Sequence, residues 1–327
     1  NWESFNIGAG HSVQFKQPDA GAAALNRIYQ VDPSRIAGAL KANGQLYLIN
    51  QNGILFGQGA QVNVNALVAS SLNIGDQRFL QGFTSEKATK PVFAWEGDGE
   101  GYVNALTGGD GGVRVAQGAM LQAAPGGFVM LLAPQVTNDG TISTPEGQTV
   151  LAAGAKVYLA FPENGDFALR GFLVEVDPYD YQTRQALGGR VTNDAQGTVT
   201  AARGNISLVG LAVNQKGRVS ATTSVNLNGS IRLVARDTGV EVDGSTRMVG
   251  QRTGTVTLGA SSVTEVLPQL EDTTTSQDGT SANPVIFNRS RVDVLGHTIE
   301  MQAQSRISAP GGDVSLAAQQ VGNADPF

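Results

Sequence analysis

The sequence predicts an all-β fold, a right-handed parallel β-helix carrying hairpin and loop excursions, and three observations predict it. The phrase Ala124-Pro125-Gly126-Gly127-Phe128-Val129-Met130-Leu131-Leu132-Ala133 returns as Ala309-Pro310-Gly311-Gly312-Asp313-Val314-Ser315-Leu316-Ala317-Ala318. Between the two copies, short alternating apolar runs led by glycine recur about every twenty residues. The composition suits a chain of many corners, with 42 glycines, 15% charged residues and 6% aromatic residues. One such unit cannot bury its apolar face alone, so units of this kind stack.

The elements follow in order. Phe5, Ile7, Val13 and Phe15 fall at mostly even spacings, as strands with one buried face require. Residues 20–29 read as a short helix or a turn-rich excursion, because Ala22, Ala23, Ala24 and Leu25 are good helix formers. Pro33 starts another short element. Ala42-Asn43-Gly44 is a turn; Leu46 and Leu48 then share one face of a strand, with Tyr47 and Ile49 on the other. Asn50-Gln51-Asn52-Gly53 is a second turn, leading to Ile54-Leu55-Phe56. These strands are apolar on both sides, which points to packing between layers.

Residues 76–100 break the rhythm with Phe79, Phe83, Phe93 and Trp95, and read as an excursion folded back on the main body. A second excursion spans 161–187, with a helical turn expected over 179–186. Asn193 before Gly197-Thr198-Val199 and Asn214 before Gly217-Arg218-Val219 restore the coil pattern. Residues 268–284 are polar and read as a mobile loop. The expected organisation is a β-helical module over 1–160 with an excursion near 76–100. An extra-helical excursion over 161–190 follows, and further coils over 191–327 contain the loop near 268–284.

Several function classes are disfavoured. A net charge of −6 with scattered basic residues does not suit a nucleic-acid surface. The absence of cysteine removes disulfides and thiolate metal sites. No run approaches the roughly 20 apolar residues of a membrane span. His11 and His297 are isolated, so no metal site and no cofactor is expected. Gly108-Gly109-Asp110-Gly111-Gly112 looks like a phosphate or calcium loop but lacks the flanking residues of either. Carbohydrate cleavage needs two carboxylates about 5 or 9 Å apart across a groove. Asp177 with Asp180 and Glu241 with Asp243 are the nearest pairs, and neither supports a catalytic assignment, so no enzyme is expected. Asn50, Asn52, Asn193 and Asn214 suit corner-closing amides that stack from coil to coil.

The ordered set Trp2, Phe5, Asn26-Arg27, Pro33-Ser34, Ile36, Gly38, Ala42-Asn43-Gly44-Gln45, Leu48-Ile49, Asn50-Gln51-Asn52-Gly53-Ile54, Phe56-Gly57 and Ala69-Ser70-Ser71 resembles the filamentous-haemagglutinin-type secretion domain. That domain begins the large exoproteins of two-partner secretion in Gram-negative bacteria. The similarity is dense to about residue 75 and continues at repeat level beyond it.

The resemblance implies a secretion-directing β-helix of a surface-exposed or released adhesin or biofilm-matrix protein. Its partner would be a cognate TpsB-type outer-membrane β-barrel transporter, acting through periplasmic POTRA domains. The family turn Asn-Pro-Asn-Gly maps onto Asn50, Gln51, Asn52 and Gly53 with Ile54, as the transporter-recognition or folding motif. Gln51 stands where the family has proline, so the turn loses a pre-set φ. The family's N-terminal cap is not evident before Asn1, which would leave a β edge open.

Pro125, Gly126, Gly127, Pro310, Gly311 and Gly312 are structural corners. Phe83, Trp95, Asp177, Tyr179, Asp180 and Tyr181, in the excursions, are the candidate contacts for a polysaccharide or cell-surface ligand. A monomer is expected. A haem-acquisition or host-carrier-binding passenger is the alternative function, and a polysaccharide-active β-helix a second alternative.

Overall fold

Short alternating strands separated by tight corners can bury their inner side chains only by winding round a common axis, and the chain does so. The computed structural model describes residues 1–82, 91–95, 111–160, 171–180, 185–186, 188–235, 238–242, 245–251, 254–273, 275, 287–318 and 325–326. Each coil supplies one strand to each of three parallel sheets. Ser34–Ile36, Ala39–Ala42 and Gln45–Ile49 are such a set, and define the first, second and third faces. Among the described residues these faces hold eight, nine and nine strands.

The third face shows how register follows from the pattern. Leu48, Ala69, Leu131, Leu151, Leu208, Leu233, Val294 and Leu316 form one column pointing inward. All but the last are buried, in a core that runs the length of the helix. A buried side chain of this size contributes about 1.5–3 kcal/mol. A one-residue slip would turn the column outward, so register is strongly specified there.

The neighbouring outward column reads Tyr47, Val68, Met130, Val150, then Ser207, Arg232, Asp293 and Ser315. Its apolar half is covered by an outer layer, a three-stranded antiparallel sheet of Leu173–Asp177, Lys156–Ala160 and Phe93–Ala94. Phe93, Val157, Leu159, Val174 and Val176 pack on Ile49, Met130, Leu132 and Val150 as a second core. The short helix Asp76–Gln81 leads into this layer, where Phe79 meets the Tyr47 ring edge-on with centroids 5.1 Å apart.

Both Pro-Gly-Gly phrases turn onto the third face. Gly126 and Gly311 have φ of +78° and +73°, which favours glycine. A Cβ on Gly127 would lie 1.8 Å from the Asn65 carbonyl oxygen of the preceding coil, and one on Gly312 2.6 Å from that of Ser290. The corners are therefore glycine for two reasons, backbone hand and coil-to-coil contact.

Four expectations change. Residues 20–29 contain a strand, Ala23–Arg27, because pairing with Gln45–Ile49 outweighs the helix propensity of its alanines. The helical turn expected over 179–186 is replaced at both of its ends by strand: Tyr179 and Asp180 pair with Ala186 and Gln185 in a small antiparallel ladder, and residues 181–184 lie outside the described residues. The second excursion leaves the coils earlier than residue 161, since Lys156–Ala160 already belongs to the outer layer. The first coil is partly closed by its own N-terminal segment, through parallel bridges of Trp2 with Ile28 and Ile7 with Ile36. Of the polar stretch 268–284, residue 268 ends the strand Val263–Pro268, and residues 274 and 276–284 lie outside the described residues.

Candidate functional site

The residues that carry the family resemblance converge on the first coils. Trp2 donates its indole N–H to Asn26 Oδ1 at 2.8 Å, and the Asn26 amide donates to the Tyr47 carbonyl at 3.2 Å. Trp2 also packs edge-on against Phe5, with centroids 5.3 Å apart. Arg27 lies along the outside of the third face and reaches two coils onward. Its guanidinium donates to Asn73 Oδ1 at 3.2 Å, to the Ile74 carbonyl at 2.6 Å and to Asp76 at 2.6 Å. It thereby ties the first coil to the point where the first excursion begins. The Arg27 side chain is 14% exposed and that of Asp76 62%, so the part-buried bonds to Asn73 and Ile74 carry the clamp and the Asp76 pair adds little more than a surface pair does.

Asn50 to Ile54 form a buried turn. The Gly53 N–H donates to the Asn50 carbonyl at 2.9 Å, closing a four-residue turn, and the Asn52 N–H donates to Asn50 Oδ1 at 3.0 Å. The Asn50 amide donates to Ser34 Oγ at 2.9 Å and to the Asp32 carbonyl at 3.2 Å, while that of Asn52 donates to the Gln30 carbonyl at 3.0 Å. Both asparagines thus staple the turn to the preceding coil. Gln51 is 7% exposed, and its Nε2 has no hydrogen-bond partner. Gly53 has φ +103° and could not carry a Cβ, which would sit 2.5 Å from the Gly112 carbonyl oxygen. Ile54 points into the core.

The excursion candidates separate. Trp95 is buried in the second core, and its indole covers Gly111. Asp177 is fully buried at the end of its strand, where its carbonyl accepts from the Ala155 N–H at 2.8 Å. In the folded chain neither side chain is presented to a ligand, and Asp177 does not face a groove as a glycosidase acid must. Phe83, Tyr181 and Asp243 lie outside the described residues, and Tyr179, Asp180 and Glu241 are described in backbone only. Pro125 to Gly127 and Pro310 to Gly312 occupy coil corners. Among the described residues no three of His, Cys, Asp and Glu gather as metal ligands, and no helix is long and apolar enough to cross a membrane.

One polar feature differs from its expected form. Asn138 donates to Asn193 Oδ1 at 2.8 Å, and Asn193 to Gln215 Oε1 at 2.8 Å. The amide ladder therefore continues through Gln215, while Asn214 points the other way, 3.4 Å from Thr192 Oγ1. The ladder amides precede their glycine corners, Gly140, Gly197 and Gly217, by two, four and two residues, and Gln215 stands one residue beyond the repeated Asn214, so sequence spacing did not show the ladder.

Comparison with known proteins places these features. The family model "TPS secretion domain" matches residues 1–171, just over half of the chain. A heme/hemopexin-binding protein of Haemophilus influenzae is 30% identical over 240 residues, covering 72% of this chain and 24% of that protein. Another protein of that description and organism is 43% identical over 74 residues, 23% of this chain and 8% of its own length. The chain thus spans about a quarter or less of these relatives. The crystal structure of the HMW1 secretion domain from Haemophilus influenzae superposes with a TM-score of 0.59. It is 21% identical, and the match covers 98% of this chain and 88% of that one. This likeness shows the parallel β-helix fold. With the family model spanning the first coils and both the Arg27 clamp and the Asn50 turn inside it, the chain belongs to the TPS secretion domain family.

Proposed function

We propose that this chain directs export of a larger adhesin or matrix exoprotein to the surface of a Gram-negative cell. A cognate outer-membrane barrel would recognise it through periplasmic POTRA domains. Residues 1–160 are the directing module, and 191–327 continue the coil into the passenger. The observation that carries the mechanism is the burial of the Asn50 turn under the returning chain at Gly111 and Gly112. A turn so covered cannot dock on a partner once folded, so transporter contact with Asn50, Gln51, Asn52, Gly53 and Ile54 precedes coil formation. Outside the cell each added coil gains ladder bonds and core contacts, which biases the chain outward.

The test is secretion in cells carrying the partner barrel. Ile54→Asp puts a carboxylate in the early core and is expected to stall release, with the chain held in the periplasm. Unchanged secretion kinetics would overturn the role of the early coils. In parallel, POTRA domains should capture urea-unfolded chain and not folded chain; equal capture of both would overturn recognition before folding.

A second function has one supporting observation, the 30% identity over 240 residues to a protein described as heme/hemopexin-binding. Haem or host-carrier binding by the passenger would appear as co-purification of hemopexin with the secreted full-length protein. Its absence from that protein would leave adhesion or matrix display.

A further inference from the structure

Three times the chain leaves the third face for a long excursion and returns to the first face, after Ser70, Ala153 and Ala235. The returning strands start at Val113, Arg190 and Thr255. Register on the first face aligns Ile54, Val113, Val136, Val191, Val213, Val256 and Ile299 in one column. Two residues before each of these stand Asn52, Gly111, Pro134, Gly189, Leu211, Gly254 and His297. The three glycines are the three returns. Pro134, Leu211 and His297 follow a direct connection from the third face.

Each glycine is wedged. A Cβ on Gly111 would lie 2.9 Å from the Trp95 ring and 3.3 Å from the Gln51 carbonyl oxygen. On Gly189 it would lie 2.9 Å from Leu211 Cβ of the following coil and 3.2 Å from Pro178 Cβ, beside Gly188, whose Cβ would lie 2.2 Å from the Pro134 carbonyl oxygen of the preceding coil. On Gly254 it would lie 2.1 Å from the Leu211 carbonyl oxygen of the preceding coil. Gly111 and Gly189 also have φ of +63° and +84°. The Gly189 N–H donates to the Pro134 carbonyl at 2.7 Å, and the Gly254 carbonyl accepts from His297 N–H at 2.9 Å.

Something must choose the register at these returns. A two-residue slip keeps apolar side chains inward, so the alternation does not forbid it. The closure entropy of a long loop hardly changes when it gains or loses two residues. We propose that Gly111, Gly189 and Gly254 are register locks. They let the returning main chain seat between its neighbouring coils at a single position and so set the stacking of every later coil.

The chain has no cysteine, so engineered pairs can report register in the full chain. Thr137→Cys with Thr192→Cys marks the native register at the second return. Thr137→Cys with Arg190→Cys or with Asp194→Cys marks a two-residue slip in either direction. Thr192→Cys with Asn214→Cys marks the next coil. Gly189→Ala is expected to lower the native cross-link at least threefold and to raise a displaced one, with the next-coil pair still forming. Gly254→Ala should act likewise on Asn214→Cys with Thr257→Cys, against the displaced pair Asn214→Cys with Thr255→Cys. Gly126→Ala, at a positive-φ corner with open space and a direct connection, should keep the native pair. The native pair at wild-type yield in both lock variants would overturn the proposal. So would its loss without a displaced pair, loss together with the next-coil pair, or slippage in Gly126→Ala.

Discussion

Gln51 is the residue at which this chain departs from its family pattern, and its surroundings say what the departure costs. Its amide nitrogen is buried without a partner, and it sits second in a turn whose first residue follows an extended strand. That second turn position suits proline, whose ring pre-sets the φ it needs. Gln51→Pro should therefore stabilise the chain by about 0.4–1 kcal/mol, with relief of the orphaned amide adding to it. A denaturant midpoint that rises at constant slope checks this, and a lower midpoint refutes it. Tyr47 makes a second residue-scale case. Burial against the outer layer pushes its phenol well above the ordinary value of about 10. Its contribution is complete below that pH and declines as pH rises, because the unfolded chain ionises first. Stability should fall above about pH 10, and Tyr47→Phe should remove that part of the fall in urea titrations at stepped pH.

At the scale of the element, the amide ladder Asn138–Asn193–Gln215 sits in a column whose other members are apolar. Phe56 and Val115 precede it in register, and Leu258 and Met301 follow. Asn193→Val would leave two buried amide groups without each other, at roughly 1–3 kcal/mol apiece. Replacing Asn138, Asn193 and Gln215 together by apolar residues should recover only part of that loss, since the amides no longer strand one another but the Gly140 N–H and the Gly197 and Gly217 carbonyls lose their side-chain partners. Thermal unfolding of the single and triple variants decides it; a triple variant weaker than the single one would show that the ladder does more than satisfy itself. The ladder was half legible. Asn193 and Asn214 repeat in sequence, yet cross-strand register pairs Asn193 with Gln215, and only hydrogen bonding between coils reveals that offset.

At the scale of the molecule, two cores meet across the third face, one axial and one under the antiparallel layer. Stacked coils contact mainly their neighbours, so damage to the layer should stay local. Val176→Asp would bury a charge between layer and coil, at several kcal/mol unless the layer opens. The expected result is a detached layer over intact coils. Trp95, buried in that core, should then shift its emission to the red and bind a hydrophobic dye, while far-ultraviolet circular dichroism keeps its β signal. Loss of both signals together would show instead that coils and layer fold as one unit.

What the sequence determined by itself was the coil: strands of three to six residues, glycine corners, an inward apolar column and the family pattern of the first turns. These depend on side-chain alternation and on backbone conformations that a few adjacent residues choose for themselves. Tertiary structure decided the rest. The alanine-rich segment Ala23–Arg27 became a strand because a neighbouring coil offered it a ladder. Trp95 and Asp177, which read as exposed recognition groups, were buried because Phe93–Ala94, Lys156–Ala160 and Leu173–Asp177 pair across long sequence separations and close over an apolar outer face. Local pattern specifies that such a face exists. It does not specify which distant strand will cover it, because that choice depends on contact free energy between segments far apart in the sequence.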